Sequence, residues 1–244
     1  TLGDGHTCAR FADGSARCWG CNGSGQVGDG TADDRLVPTP VVDLAGVEEI
    51  AAGDAHTCAR LRDGSARCWG HASFGQVGDG HLALHFRPAP VSSLTRTARL
   101  ALGPYRTCAI DLDGAVSCWG RNENGQLGDG TRTSRSTPVR ITALPAADDL
   151  CLASFHTCAL GPDASLRCWG NNPDGRLGDG TTQDRPRPVA LLGLGPVAAV
   201  SAQESHTCAR LRDGSVRCWG ANGIGQLGDG TLQSRLAPTG VAVP

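Results

Sequence analysis

The chain has 244 residues, only 4% of them aromatic, with 35 glycines, 14 prolines, 12 cysteines and a formal net charge of -2. That balance excludes a surface built to neutralise nucleic-acid phosphates, and no apolar run approaches the roughly 20 residues of a membrane-spanning helix. All 22 basic residues are arginine and methionine is absent; the missing initiator places Thr1 after a removed segment or at the start of an excerpt.

The sequence repeats every 50 residues, in units 1–50, 51–100, 101–150, 151–200 and 201–244. Each unit opens on two alternating segments joined by a short turn. In the second, Ala55–Leu61 leads through Arg62-Asp63-Gly64 into Ser65–Gly70, a β-hairpin with Gly64 in the left-handed bulge position. That turn sets Cys58 opposite Cys68 in a non-hydrogen-bonded pair, with α-carbons about 4.5 Å apart. This is the short end of the disulfide range.

The same register pairs Cys8 with Cys18, Cys108 with Cys118, Cys158 with Cys168 and Cys208 with Cys218. Disulfides, reduced thiols and a metal site built with the nearby histidine are the three readings, and the register favours disulfides. Zinc wants four ligands, or three plus water, and the third unit has Arg106 where the others have His6, His56, His156 and His206. That histidine reads as a satisfied polar residue at a strand start. In the fourth unit Pro162-Asp163-Ala164 puts alanine where the turn asks for glycine, so a distorted hairpin is expected there.

A glycine-rich connection follows in each unit, such as Asn122–Thr131, in which Leu127 and its equivalents Val27, Val77, Leu177 and Leu227 plug an apolar site. Asp29, Asp79, Asp129, Asp179 and Asp229 read as bonding their own loop backbone, because one carboxylate per turn falls short of a calcium site. Trp19, Trp69, Trp119, Trp169 and Trp219 read as packing in the core or between units and not as a stacking ladder. Arg35, Arg135, Arg185 and Arg235, with His85 interrupting, read as bridges between neighbouring units.

A proline-led stretch such as Thr137–Ile141 and a short apolar one such as Val47–Ala52 bring each unit to about four strands. An all-β chain of such units is a single repeat domain over 1–244, a β-propeller of five blade-like units of about 50 residues. It forms a closed five-bladed ring or part of a larger, seven-bladed type. Ala237–Val241 is expected to complete the blade begun by His6–Trp19, the overlap by which propellers close.

His-Thr-Cys-Ala, Asp-Gly, Cys-Trp-Gly, Gly-Gln-Leu-Gly-Asp-Gly-Thr and the later Pro-Val resemble the repeat of the regulator of chromosome condensation family across essentially the whole chain. The likeness is to the bacterial branch, in which two repeat positions are cysteines. It implies propeller blades, usually seven in the founding member. The family also contains a nucleotide-exchange factor for a small GTPase and a bacterial inhibitor of β-lactamases, so partner identity does not follow from the fold.

No helix-borne zinc motif, phosphate loop or nucleophile elbow occurs, and a residue present five times is architecture. Function is expected where units differ. The second unit carries His71, Phe74, His81, Leu82, Leu84, His85 and Phe86, and the third Pro104-Tyr105-Arg106. Of these, Phe74, His81, His85, Phe86, Tyr105 and Arg106 form a candidate partner-binding surface on loops. Cys21 and Cys151 break the period and read as unpaired or intermolecular.

The cysteine placement points outside the cell or to its surface. The resulting expectation is a non-enzymatic exported scaffold that binds a protein through its loop faces, with no catalytic residue, cofactor, metal, nucleic acid or membrane insertion. The alternatives are a self-assembling subunit of a surface layer or filament, and a carbohydrate-binding module using exposed tryptophan or Tyr105.

Overall fold

The computed structural model describes residues 1–242; Val243 and Pro244, which end the fifth unit, lie outside the described residues. Among the described residues there are nineteen strands, in five antiparallel sheets. Among the described residues no helix is long and apolar enough to cross a membrane.

The first sheet has three strands, β1 (His6–Arg10), β2 (Ala16–Gly20) and β3 (Arg35–Pro40). The second holds β4 (Val47–Ala52), β5 (His56–Leu61), β6 (Ala66–Gly70) and β7 (His85–Pro90). The third holds β8 (Thr97–Gly103), β9 (Arg106–Asp111), β10 (Val116–Gly120) and β11 (Arg135–Arg140). In the fourth are β12 (Asp149–Leu152), β13 (His156–Leu160), β14 (Leu166–Gly170) and β15 (Arg185–Ala190), and in the fifth β16 (Val197–Ala202), β17 (His206–Leu211), β18 (Val216–Gly220) and β19 (Arg235–Gly240). Neighbours in each sheet are neighbours in the chain, the meander expected of a propeller blade.

The hairpin turns set the register as their residues require. Leu61 donates its N–H to Ser65 O at 2.9 Å with Gly64 at φ +79°, and Cys58 then faces Cys68 across β5 and β6. All five such pairs are bonded, with α-carbons 4.1 Å apart. The fourth hairpin is not distorted. Ala164 adopts φ +62° and its turn keeps the bonds of the others, Ala164 N–H to Gly161 O and Gly161 N–H to Ser165 O, both 2.9 Å. Asp163 Oδ1 also accepts the Ser165 N–H and hydroxyl, so side-chain bonds and the flanking disulfide hold the alanine where glycine usually sits.

The stretch at Ala237 was expected to complete the sheet begun by His6–Trp19; it lies instead in β19, on β18, with Thr239 opposite Cys218. The same relation recurs in the first sheet, where β3 pairs with β2 and Thr39 faces Cys18. A strand one glycine loop away from its partner closes a short segment and so finds it first.

Contacts divide the chain into two compact units, Thr1–Arg121 with Ser134–Arg140, and Asn122–Thr133 with Ile141–Pro244. In the first unit Cys8, Cys18, Val27, Val47 and Ala59 pack with Trp69, and Cys58, Cys68, Val77 and Leu100 with Trp119. In the second, Cys158, Cys168, Leu177, Leu191 and Leu211 pack with Trp219. These cores lie between successive sheets, so Trp69, Trp119, Trp169 and Trp219 are each buried by the loop of the repeat before, while Trp19 in the first unit is half-buried. Full burial of one such ring contributes about 1.5–3 kcal/mol.

Candidate functional site

Four of the five recurring tryptophans turn fully inward. The Trp69 and Trp119 indoles donate Nε1–H to Gln26 O and Gln76 O at 2.9 Å, and Trp169 and Trp219 to Gln126 O and Arg176 O at 3.0 and 2.9 Å. Glycine is required beneath each ring: a Cβ on Gly28 or Gly78, at φ +77° and +83°, would lie 2.5 Å from the indole nitrogen.

His56 is buried with Nε2 2.9 Å from Thr107 Oγ1, which itself donates to Gln76 O. The hydroxyl therefore accepts from the imidazole, so Nε2 carries the proton and Nδ1, without a partner among the described residues, does not. Burial, with His6 and His71 nearby, pushes the His56 pKa down to about 3. Burial likewise pushes His6 to about 4, against a smaller opposing effect of the Asp54 backbone.

The loop aspartates and arginines belong together. Asp29 accepts from Thr31 and Arg35 of its own loop, Asp179 from Arg185 at 2.8 Å and Asp229 from Arg235 at 2.6 Å. Arg35, Arg185 and Arg235, expected to bridge neighbouring units, are spent inside their own loops, because six residues of turn bring each guanidinium back onto the carboxylate. Burial pushes the Asp29 carboxyl up, but its bonds to Arg35 and Thr31 outweigh this and hold it below the ordinary carboxylate range.

Asn22, Asn122, Asn172 and Asn222, which sequence reasoning passed over, sit at the loop centres. Asn22 spans Asp29 Oδ1 and the carbonyls of Thr31 and Asp33, and accepts the Val27 N–H. Among the described residues no group of three or more His, Cys, Asp and Glu is placed to hold a metal ion.

The second loop has Ala72 in the asparagine position: Gln76 Oε1 accepts the Phe74 N–H at 3.0 Å, as Gln26, Gln126 and Gln226 do for their own loops, and its Nε2 donates in addition to His71 Nδ1 at 2.7 Å. Burial lowers the His71 pKa and keeps that acceptor nitrogen unprotonated. The tie presents Phe74 edge-on to Tyr105, ring centroids 5.4 Å apart, with His71 6.2 Å from the same tyrosine. The Arg121 guanidinium lies 5.2 Å from the Phe74 centroid and 5.7 Å from that of Tyr105, within cation–π range. Tyr105 is 36% exposed.

The other candidates lie elsewhere. His85 replaces the loop arginine, its Nε2 3.0 Å from Asp79 Oδ2, and exposed His81 donates its N–H to Asp79. Phe86 is half-buried over Gly25, its carbonyl accepting the Gly30 N–H. Arg106 is 1% exposed and occupies the strand position that His56 holds in the second sheet. Arg121 was missed, although the residue after Cys-Trp-Gly varies as Cys21, His71, Arg121, Asn171 and Ala221. Cys21 is exposed, and half-buried Cys151 accepts the Ala202 N–H at 3.1 Å.

Meander sheets of one repeat, stacked through a buried tryptophan on the preceding glycine loop, define a β-propeller protein of the repeat class. The regulator of chromosome condensation (RCC1) repeat matches residues 13–60, 113–160 and 165–210, more than half of the chain, and a second model of that repeat matches 47–76, 98–126 and 197–226. The chain belongs to the RCC1 repeat family. Its fold is similar to human WBSCR16 (21% identity, TM-score 0.83, covering 99% of this chain and 66% of that one) and to yeast RCC1 (Prp20) bound by Kap60 (21%, 0.85, 98% and 60%). It is also similar to Prp20p from Saccharomyces cerevisiae (19%, 0.65, 100% and 76%). The chain thus spans less than two thirds of the human protein and of the Kap60-bound yeast one. No curated protein sequence matches it.

Proposed function

We propose that the chain is a non-enzymatic, exported protein-binding scaffold whose contact surface is the His71–Phe74–Tyr105–Arg121 cluster. The observation that carries this reading is the Phe74–Tyr105 edge contact capped by Arg121. Aromatic and arginine side chains dominate the energetics of protein interfaces. Here the loop glutamine that holds the Phe74 backbone is itself bonded to His71, so little ordering cost remains to be met on binding. One relative, Prp20p, is described with binding properties to Gsp1p and histones, which are proteins. Five disulfides support export, since such bonds persist in oxidising compartments.

The test replaces Phe74, Tyr105 and Arg121 by the residues of the fourth and fifth units, as Phe74→Asp, Tyr105→Ser and Arg121→Asn. Affinity capture from the organism's own extracellular fraction is then compared with the parent chain. Loss of a specific protein with the fold intact supports the surface; the same partners at the same yield refute it. Covalent assembly through Cys21 is the second reading, favoured by the exposure of that thiol. Chain ladders that collapse with reductant are its signature.

A further inference from the structure

The third sheet carries a second departure from the repeat, in side chains that lie far apart in sequence. In the other sheets the middle row of the hairpin places an arginine on the second hairpin strand beside a small residue or proline on the outer strand: Arg17 faces Pro40, Arg67 faces Pro90, Arg167 faces Ala190 and Arg217 faces Gly240. In the third sheet the pair is inverted, Ser117 facing Arg140. The guanidinium has moved one strand outward, about 4.8 Å, and the space it would fill above Ser117 is open.

That space is a pocket of about 190 Å³. It is lined by further breaks in the repeat: Asp111 where others have Phe11, Leu61, Gly161 and Leu211; Thr97 where others have Val47, Ala147 and Val197; and Arg96 where others have Gly46, Ala146 and Pro196. Five polar residues at five positions that are otherwise apolar, small or arginine thus converge on one cavity.

Thr97 is 4% exposed, and its hydroxyl is buried without a hydrogen-bond partner among the described residues. Three sheets fill this position with an apolar side chain at no such cost. Asp111 Oδ1 is spent on the turn, accepting the Asp113 and Ala115 N–H groups at 2.9 and 2.8 Å. Arg96 is held by Asp113 at 2.7 Å. Arg140 approaches the second oxygen of Asp111 only to 3.9 Å, so its planar donor fork is left largely unspent.

We propose that this pocket binds a small hydroxylated carboxylate of the acidic-monosaccharide class, with Arg140 on the carboxylate and Thr97 and Ser117 on ring hydroxyls. The guanidinium fork matches a carboxylate, and hydroxyls that both donate and accept suit those of a sugar. The volume lies below that of pockets for drug-sized ligands, which leaves room for one ring.

The probe is glucuronate, titrated against the intact chain by heteronuclear NMR, with glucose and acetate as comparators. Saturable shifts of Thr97, Ser117 and Arg140 are expected with glucuronate, and binding about tenfold weaker or more for glucose, for acetate and for Arg140→Met, each of which removes a charged contact or the hydroxyls. Ser117→Arg restores the residue of the other four sheets and is expected to fold normally and abolish binding. Three results would overturn the assignment: no saturable glucuronate binding, equal binding of glucose or acetate, or unchanged glucuronate affinity in Arg140→Met or in a folded Ser117→Arg protein.

Discussion

Lowering the pH from 7 toward 4 is expected to destabilise the protein through two buried imidazoles. An unfolded histidine titrates near 6.5, whereas His6 and His56 in the fold do so only at about 4 and about 3. Between those values the unfolded chain binds protons that the folded one refuses. Stability is therefore full above pH 6.5 and falls by about 1.4 kcal/mol per pH unit for each ring until its folded pKa is reached. Complete titration would cost about 3 kcal/mol through His6 and about 5 through His56, against a typical total of about 5–15 kcal/mol. His71 and His206, both lowered by burial, act in the same direction, and Asp54, raised by burial and by Asp4, acts in the opposite one.

The assay is urea unfolding followed by tryptophan fluorescence at pH 7, 6, 5 and 4.5, for the parent chain and for His56→Gln. Glutamine keeps a donor for Thr107 and has no proton to gain, so the variant should lose about 1.4 kcal/mol per pH unit from the slope. Equal slopes for the two chains would refute the tautomer and burial argument for His56.

Gly78→Ala forces a Cβ to within 2.5 Å of the Trp119 indole at φ +83° and should cost about 3 kcal/mol or more in chemical unfolding; a change within about 0.5 kcal/mol would contradict the packing of that loop. Replacing Cys58 and Cys68 together by serine opens a bond closing a sequence separation of 10 and should cost roughly 2–3 kcal/mol. Alkylation before and after reduction should find ten of the twelve cysteines protected; twelve reactive thiols in unreduced protein would remove both the disulfides and the argument for export.

The repeat, the hairpins and the facing cysteines were legible in the sequence because they rest on short-range geometry. A three-residue turn such as Arg62-Asp63-Gly64 sets its own register, and with it every cross-strand pair as far as Cys58 and Cys68. The aspartates were legible for the same reason, each bonding within a few residues of itself. Ala164 shows the limit of local preference: propensity disfavours its positive φ, yet the bonds around it hold the turn.

What the tertiary structure decided is which of the departures from the repeat meet. Phe74 and Tyr105 were visible as oddities, but only sheet packing puts them 5.4 Å apart under Arg121 and sends Arg106 to the interior. The pocket above Ser117 is still less visible one residue at a time, since a serine in place of an arginine matters only once Thr97, Asp111 and Arg140 close around the space it leaves. Turn geometry acts over a few bonds and is carried by local sequence. Convergence of side chains tens of residues apart depends on how whole strands pair and sheets stack, and that is set by burial of surface no single segment can cover alone.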